Sequence, residues 1–384
     1  MGIALPFYFS SDNASSTGKT DPAAITLPGP CTVNNAPGWG CASNVVVVER
    51  MPKQEMDTLC QDNATRVYDH PVVLVYRNFP NVMHWLSDQV VPFFFAIDEF
   101  GLSNTTVQIV ALDEVGYHRS PKKVAFLDTV WQALSGASVV RMADHVKHSF
   151  CTRTAILGSP AHPLISYNVD LSTKAVIKDR PRHQKFAKWF LSKYNVSHPA
   201  AEARDPSQPV ITLIDRTAER FRTIMNQDEV MSIARSFSMN ARAVKLEAMS
   251  IDEQLRTAAQ TDVLIGVHGA GMAMAAFLPP WGVVVELKPF GFGTGIRDFY
   301  PGFCSWARLH GIQYMGWHNR DRARSKQAGT DPLYFKNFHT SIDPENITFI
   351  IQSAINLTLV APKHRRVNEC TQLNAPILPV VTYR

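Results

Sequence analysis

No run in this 384-residue sequence approaches the roughly 18 uninterrupted apolar residues of a membrane-spanning helix. Ile3 to Phe9 is apolar but short and lacks the basic flank of a secretory leader. Membrane association is therefore expected only through an anchor not visible in this chain. Charge is sparse, with 18% Asp, Glu, Lys and Arg and a net charge of +5. No Lys/Arg-rich block stands out, which argues against a nucleic-acid track, whereas a mildly basic chain suits an anionic small ligand. None of the six cysteines forms a Cys-x-x-Cys pair, so a zinc site is not expected. A Gly-x-Ser-x-Gly elbow, a Walker loop and an Asp-x-Asp pair are all absent. Their absence removes the usual serine hydrolase, the P-loop NTPase and the acidic metal clamp for a nucleotide diphosphate.

What is present is apolar and punctuated. Hydrophobic residues make up 45% of the chain, enough for two cores of ordinary domain size. Residues 1–43, rich in Ser, Pro, Gly and Asn, read as an irregular N-terminal segment. Apolar runs at Val45–Glu49, Val72–Tyr76, Val107–Leu112, Val139–Val140 and Thr154–Leu157 read as strands. Helices are expected from Asn81 through Phe95, with a kink at Pro92, from Pro121 to Leu134, and from Pro181 to Lys193. The polar, proline-bounded Asp205–Pro209 reads as a domain boundary. Beyond it come strands at Val210–Ile214 and Arg242–Leu246, and helices capped by Asn226 and Ser250, each with Glu three residues on. A strand–turn–helix–strand unit over Asp262–Leu287 follows, and a last helix begins at Asp343-Pro344. This alternation means an α/β fold with parallel sheets covered on both faces. The expected division is 44–204 for one domain, 205–342 for a second, and 343–384 for a helix and tail packing back.

Two features point to the secretory pathway. Asn-x-Ser/Thr occurs six times, at Asn13, Asn63, Asn104, Asn195, Asn346 and Asn356, against roughly two or three by chance. Cys31 and Cys41 flank a Pro/Gly-rich loop and are placed to close it as a disulfide, the other reading being free buried thiols in a cytosolic enzyme.

The turn His268-Gly269-Ala270-Gly271 follows an apolar strand and opens a helix that stops at Pro279-Pro280. Free backbone N–H groups and a helix N-terminus at the edge of a sheet bind phosphate. The strand at Val210–Ile214 runs into a loop holding Arg216, Arg220 and Arg222. Guanidinium groups take phosphate oxygens in pairs and keep their charge. A solvated arginine loop paired with Glu219 or Asp215 is the plainer reading, and the nearby His268 turn tips the balance to a diphosphate site. Glu286 closes the next strand, where a carboxylate holds a ribose or else pairs with Lys288. Gly291–Gly295 reads as a flexible loop. On the first domain's helix, His84 and Asp88 lie four apart on one face, a spacing for a carboxylate-oriented general base or for a surface ion pair.

Three blocks in this order resemble glycosyltransferase family 61: His84-Trp-Leu-Ser-Asp88-Gln-Val-Val-Pro92; Arg216 through Asn226; and Val267-His268-Gly-Ala-Gly-Met with Phe277-Leu-Pro-Pro and Val285-Glu286-Leu. Arg77 to His84, Glu286 to Phe290 and Gln313 to Arg320 are most similar to the family's protein O-linked-mannose β-1,4-N-acetylglucosaminyltransferases. The resemblance implies a GT-B fold, two Rossmann-like domains facing a central cleft, with the donor on the C-terminal one. It implies inverting transfer of a sugar, GlcNAc first and xylose or arabinose second, from a UDP-sugar to a hydroxyl of a glycan or glycoprotein. The compartment implied is the lumen of the endoplasmic reticulum or Golgi, and no metal cofactor is expected. In that scheme His84 and Asp88 are catalytic, and Arg216, Arg220, Arg222, His268 to Gly271 and Glu286 hold the nucleotide sugar. A glycan-binding protein retaining the fold is the rival of a different class. The fibronectin-type module of those enzymes is not expected within these residues, and the arginine loop is about two residues longer than theirs.

Overall fold

A computed structural model describes residues 3–4, 23–26, 45–48, 58, 60–61, 66–77, 81–113, 121–141, 150–152, 154–157, 173–216, 221–292, 302–329, 337–360 and 370–373. The chain divides into two compact units, Met1–Pro163 and Leu164–Arg384. The division falls ahead of the Asp205–Pro209 break, because the helix between them packs on the second unit.

In the first unit, β1 (Ile3–Ala4), β2 (Ala23–Thr26) and β3 (Val45–Val48) form a small sheet with β3 central. Two of these short strands lie in the segment that composition alone reads as irregular; each finds its partner in the valine run of β3. β4 (Arg66–Tyr68) pairs in parallel with β8 (Phe150–Thr152). The main sheet is all parallel, in the order β7-β6-β5-β9, from β5 (Val72–Arg77), β6 (Gln108–Asp113), β7 (Val140–Arg141) and β9 (Ala155–Leu157). Val72 to Val75 are buried, as a parallel strand covered on both faces requires.

The helix after β5 begins at the expected cap, with the Asn81 side chain accepting from Met83 N and His84 N. It is not one helix with a kink. A short α1 (Val82–Trp85) passes through a π-helical turn, Leu86–Val90, into α2 (Val91–Glu99), whose first turn holds Pro92. A proline lacking its N–H is cheapest in a first turn, and the wider π turn just before it absorbs the mismatch. α3 (Pro121–Ser135) contributes Trp131, which meets Trp85 and Phe93 edge to face in the buried layer. A disulfide joins Cys60 to Cys151 of β8. The Cys31–Cys41 pairing lies outside the described residues.

The second unit is built on a six-stranded parallel sheet, β11-β10-β12-β13-β14-β17. Its strands are β10 (Ile211–Ile214), β11 (Arg242–Val244), β12 (Val263–Val267), β13 (Val283–Lys288), β14 (Gln313–His318) and β17 (Cys370–Leu373). A separate antiparallel pair, β15 (Ser325–Lys326) and β16 (His339–Thr340), follows β14. On one face lie α5 (Gln227–Phe237) and α8 (Pro344–Leu359), burying Val230, Ile347, Ile351 and Ala354 against Ile265, Val285 and Met315. On the other lie the 3₁₀ segment Ala270–Phe277 and α7 (Gly302–His310), with α4 (Thr173–Ser192) packed on α7. α6 (Ile251–Ala259) packs beside the 3₁₀ segment.

α4 starts at Thr173, not at Pro181, so the proline sits inside the helix. The apolar stripe explains the extension: Val176, His183, Phe186, Ala187 and Phe190 are buried along one face. Ser250 forms its capping box, with its N–H donating to Glu253 Oε2 at 2.8 Å. Asn226 does not: its amide donates to Glu229 Oε2 and to Ile342 O, tying α5 to the chain ahead of α8. α8 lies against β12, β13 and β14 and is capped by Asp343, whose side chain accepts from Asn346 N at 2.8 Å. A second disulfide, Cys304–Cys370, ties α7 to edge strand β17.

Candidate active site

The C-terminal edge of the six-stranded sheet gathers Arg216, Arg222, His268 to Gly271 and Glu286. β10 ends at Ile214, so Asp215 and Arg216 leave the sheet beside the turn that follows β12. The Arg216 guanidinium lies against Gly269: a Cβ built there would stand 3.1 Å from Nη1. Gly269 is therefore needed for close approach rather than for an unusual backbone, since its φ of 170° is ordinary extended geometry. Arg222 reaches the same turn from the far side of the loop, with Nη1 donating to His268 O at 3.0 Å. Its backbone is left-handed at φ 61°, a conformation costing a non-glycine residue about 1–2 kcal/mol. The loop is pinned behind it: Met225 N donates to Thr340 O, and the Thr223 hydroxyl meets His339 Nδ1 at 2.6 Å. Of the two arginines left open by the loop length, Arg222 contacts the turn; Arg220 lies outside the described residues.

His268 to Gly271 form that turn, and the N–H groups at the start of Ala270–Phe277 give it the positive end of a short helix. His268 is held at three points. Its N–H donates to Leu287 O at 2.9 Å, its carbonyl accepts from Arg222, and its ring Nδ1 donates to Glu286 Oε1. The rings of Phe292 and Phe303 lie 4.3 and 5.1 Å from the imidazole, centroid to centroid. Phe292 belongs to the stretch read as a loop, of which Gly291 and Phe292 are described.

Glu286 is enclosed by protein groups. It is 0% exposed. Oε1 receives His268 Nδ1 and Oε2 receives the Tyr314 hydroxyl at 2.5 Å, with Lys288 Nζ 3.9 Å away. Both oxygens are engaged by protein donors, so the geometry suits a carboxylate that orients His268 rather than one that takes a ribose. The ion pair with Lys288 is present as well, its ammonium being one of three protein groups around the carboxylate. Its register shows how the arrangement fits: Glu286 stands between Gly266 and Gly316 on the neighbouring strands. His268 lies just past the end of β12 and Tyr314 two residues back along β14, and the carboxylate meets both. Burial pushes the carboxyl up, but the Lys288 ammonium, the His268 hydrogen bond and charge, and the Tyr314 hydroxyl outweigh it and hold the group below its ordinary value. The site therefore contains a fixed anion beneath the imidazole. Such a partner fixes a histidine's tautomer and ring orientation. Tyr314 was not legible in advance, since only the β13–β14 register brings it to Glu286.

In the first unit, His84 Nδ1 and Asp88 Oδ2 are 2.8 Å apart, and the Ser87 hydroxyl donates to Asp88 Oδ1 at 2.5 Å. Their side chains are 16% and 19% exposed, so this is a half-sheltered pair rather than a solvated one. The π turn shapes it, because His84 lies in α1 and Asp88 in Leu86–Val90. Such turns occur often at functional sites. Among the described residues, no group of three His, Cys, Asp or Glu side chains is placed to hold a metal ion.

Comparison with known proteins places the chain among glycosyltransferases by sequence. The chain is 25% identical over 270 residues to an EGF domain-specific O-linked N-acetylglucosamine transferase of Bos taurus, covering 68% of this chain and 48% of the relative. The Mus musculus protein of the same name is 26% identical over the same shares. That of Xenopus laevis is 28% identical over 54% of this chain and 38% of its own length. The chain thus spans about half the length of the curated relatives it matches. Among solved structures, the dodecameric iron-containing heptosyltransferase TibC with ADP-D-beta-D-heptose is similar at a TM-score of 0.30 and 11% identity, covering 76% of this chain and 78% of that one. The model of Glycosyltransferase 61 matches residues 82–285, more than half of the 384 residues and inclusive of His84, Arg216, Arg222 and His268, and the chain belongs to that family.

Proposed function

We propose that the protein is an inverting glycosyltransferase of GT-B type that moves a sugar, GlcNAc first among candidates, from a UDP-sugar to a hydroxyl of a glycan or glycoprotein. The observation that carries this reading is the convergence of Arg216 and Arg222 on the His268–Gly269 turn at the C-terminal edge of a parallel sheet. The relatives' name supports GlcNAc as the sugar.

In this reading the C-terminal unit takes the nucleotide. Arg216, Arg222, His268 and the N–H groups of the turn neutralise the diphosphate as the bond to the anomeric carbon breaks. His84 Nε2 removes the proton of the acceptor hydroxyl, which attacks from the face opposite UDP, while Asp88 holds the ring through Nδ1. The charge of the leaving group is met by side chains and backbone, so transfer proceeds without a metal ion. The disulfides Cys60–Cys151 and Cys304–Cys370 support an oxidising compartment, and we place the protein in the lumen of the endoplasmic reticulum or Golgi.

The test is calorimetric titration with UDP, UDP-GlcNAc, UDP-xylose and GDP in the presence of chelator. Micromolar binding of UDP but not GDP supports the reading, and the sugar nucleotide bound most tightly names the donor, GlcNAc or a pentose. Failure to bind any of the four would overturn it in favour of a glycan-binding protein.

A further inference from the structure

Six Asn-x-Ser/Thr sequences are far from equivalent once folded. Asn13 and Asn63 lie outside the described residues; the other four divide into two kinds. Asn104 is exposed at the tip of the turn joining α2 to β6. That turn is closed by Gly101, at φ 70°, by Leu102 N donating to Ile97 O at 2.7 Å, and by Thr105 N donating to Leu102 O at 3.0 Å. Its base is fixed while its tip points outward, and the following Thr106 is half-buried. Asn195 is exposed just beyond the C-terminus of α4, with φ 51°. Asparagine is the usual substitute for glycine at this helix-ending position. Val196 anchors the turn by donating to Leu191 O at 3.1 Å, and Ser197 is exposed.

The remaining two belong to α8. Asn346 is half-buried, and its Nδ2, the atom that would carry a sugar, donates to Asp343 Oδ2 at 2.5 Å. Its backbone N–H donates to the other oxygen of the same cap, so the residue helps to start the helix. Asn356 is exposed, but its sequence partner Thr358 is 1% exposed. The Thr358 hydroxyl donates to Ile355 O at 2.8 Å and accepts from Arg204 Nη2 at 2.5 Å. The hydroxyl that makes the sequence an acceptor is thus consumed inside the fold.

We propose that Asn104 and Asn195 are the N-glycosylated positions among these four, and that Asn346 and Asn356 serve the fold unmodified. The donor is a lipid-linked oligosaccharide. The asparagine Nδ2 forms a bond to the first sugar's anomeric carbon, the bond from that carbon to the lipid diphosphate breaks, the diphosphate leaves with the lipid, and the amide gives up one proton. Both positions project a large hydrophilic chain into solvent from a turn already fixed by its own hydrogen bonds, so folding proceeds around it.

The proposal rests on the luminal reading, and the test separates the two. The full chain is produced behind a secretory leader in eukaryotic cells, treated with peptide-N-glycosidase in H₂¹⁸O, and mapped by peptide mass spectrometry. Labelled aspartate at 104 and 195, with unlabelled asparagine at 346 and 356, is the expected result. An unmodified Asn104 or Asn195, or a glycan on Asn346 or Asn356, overturns it. Peptide mapping without reductant reports Cys60–Cys151 and Cys304–Cys370 separately. Their absence from chain purified from its own cells would count against the luminal reading alone. Asn104→Gln and Ser197→Ala should each remove one glycan and leave UDP affinity unchanged; the serine is replaced in the second so that Asn195 keeps its left-handed backbone.

Discussion

At the scale of the residue, the most constrained group is Glu286, a carboxylate with no solvent and two protein donors. Tyr314→Phe removes one of them without changing shape, and a charged acceptor left short of a donor costs about 1.5–3 kcal/mol. We expect a matching fall in unfolding free energy, measured by urea denaturation, and a weaker, more pH-dependent grip on UDP. Unchanged stability together with unchanged affinity would mean that Tyr314 does not tune the site. His84→Ala belongs to the same scale but differs in kind. Turnover should fall by at least the 10²-fold associated with a general base, with UDP binding intact; parallel loss of both would rule out its role as the base. Arg222→Ala should relieve no strain, because alanine at φ 61° is strained too, and should weaken UDP binding by calorimetry. Wild-type affinity would remove Arg222 from the diphosphate site.

At the scale of the element, Gly269→Ala tests the packing of turn against loop. A methyl 3.1 Å from Arg216 Nη1 forces the guanidinium aside. UDP affinity should fall while the melting temperature stays near that of the parent, and the reverse pattern would mean that the glycine serves the fold alone. Elements also differ in how plainly they could be read beforehand. β5, β10, β12 and β13 announce themselves as unbroken valine, isoleucine and leucine runs, and the Ser250 box forms as spelled. β14 does not, because Gln313, Gly316 and His318 interrupt its apolar pattern and only its place between β13 and β17 makes it a strand. α7 opens on Gly302, and Pro181 masks the first turns of α4. The candidate site was legible wherever a short segment carries it, as in His84–Asp88 or His268–Gly271. It was illegible where chemistry depends on register: Tyr314 meets Glu286 only because β14 sets Gly316 opposite the carboxylate and the tyrosine two residues back, and no local pattern encodes that.

At the scale of the whole molecule, acid should be the weakness of the C-terminal unit. His310 is buried with neither ring nitrogen hydrogen-bonded among the described residues, and burial pushes its pKa down to about 3. The unfolded chain takes up that proton near pH 6.5, whereas the native state resists it until about pH 3. Stability is thus fully present above pH 6.5 and drains away as pH falls through the interval. Glu286 adds to the loss at the lower end, since its native value lies below the unfolded one and its contribution disappears as pH falls through it. Denaturation midpoints from pH 8 to pH 4 should decline over this window, and His310→Leu should flatten the decline; an equal slope in the variant would exonerate the histidine. The Cys304–Cys370 bond closes a separation of 66 residues, worth about 4 kcal/mol in the chain-entropy model. Reduction should lower the thermal midpoint by several degrees.

Strand β17 gives the order of synthesis a consequence. It lies beside β14 in the sheet yet is made only after β15, β16 and α8, roughly 50 residues later, which at about 5–20 residues per second is several seconds of translation. Throughout that interval β14 is an unpaired parallel edge on an otherwise finished sheet, the kind of surface that recruits strands from other nascent chains. The partner of Cys304 has not yet emerged either, so its thiol waits at the same margin. Oxidation with Cys370 then closes the edge and joins the late strand to an early helix, leaving ribosome-bound chains as the stage most exposed to misassembly.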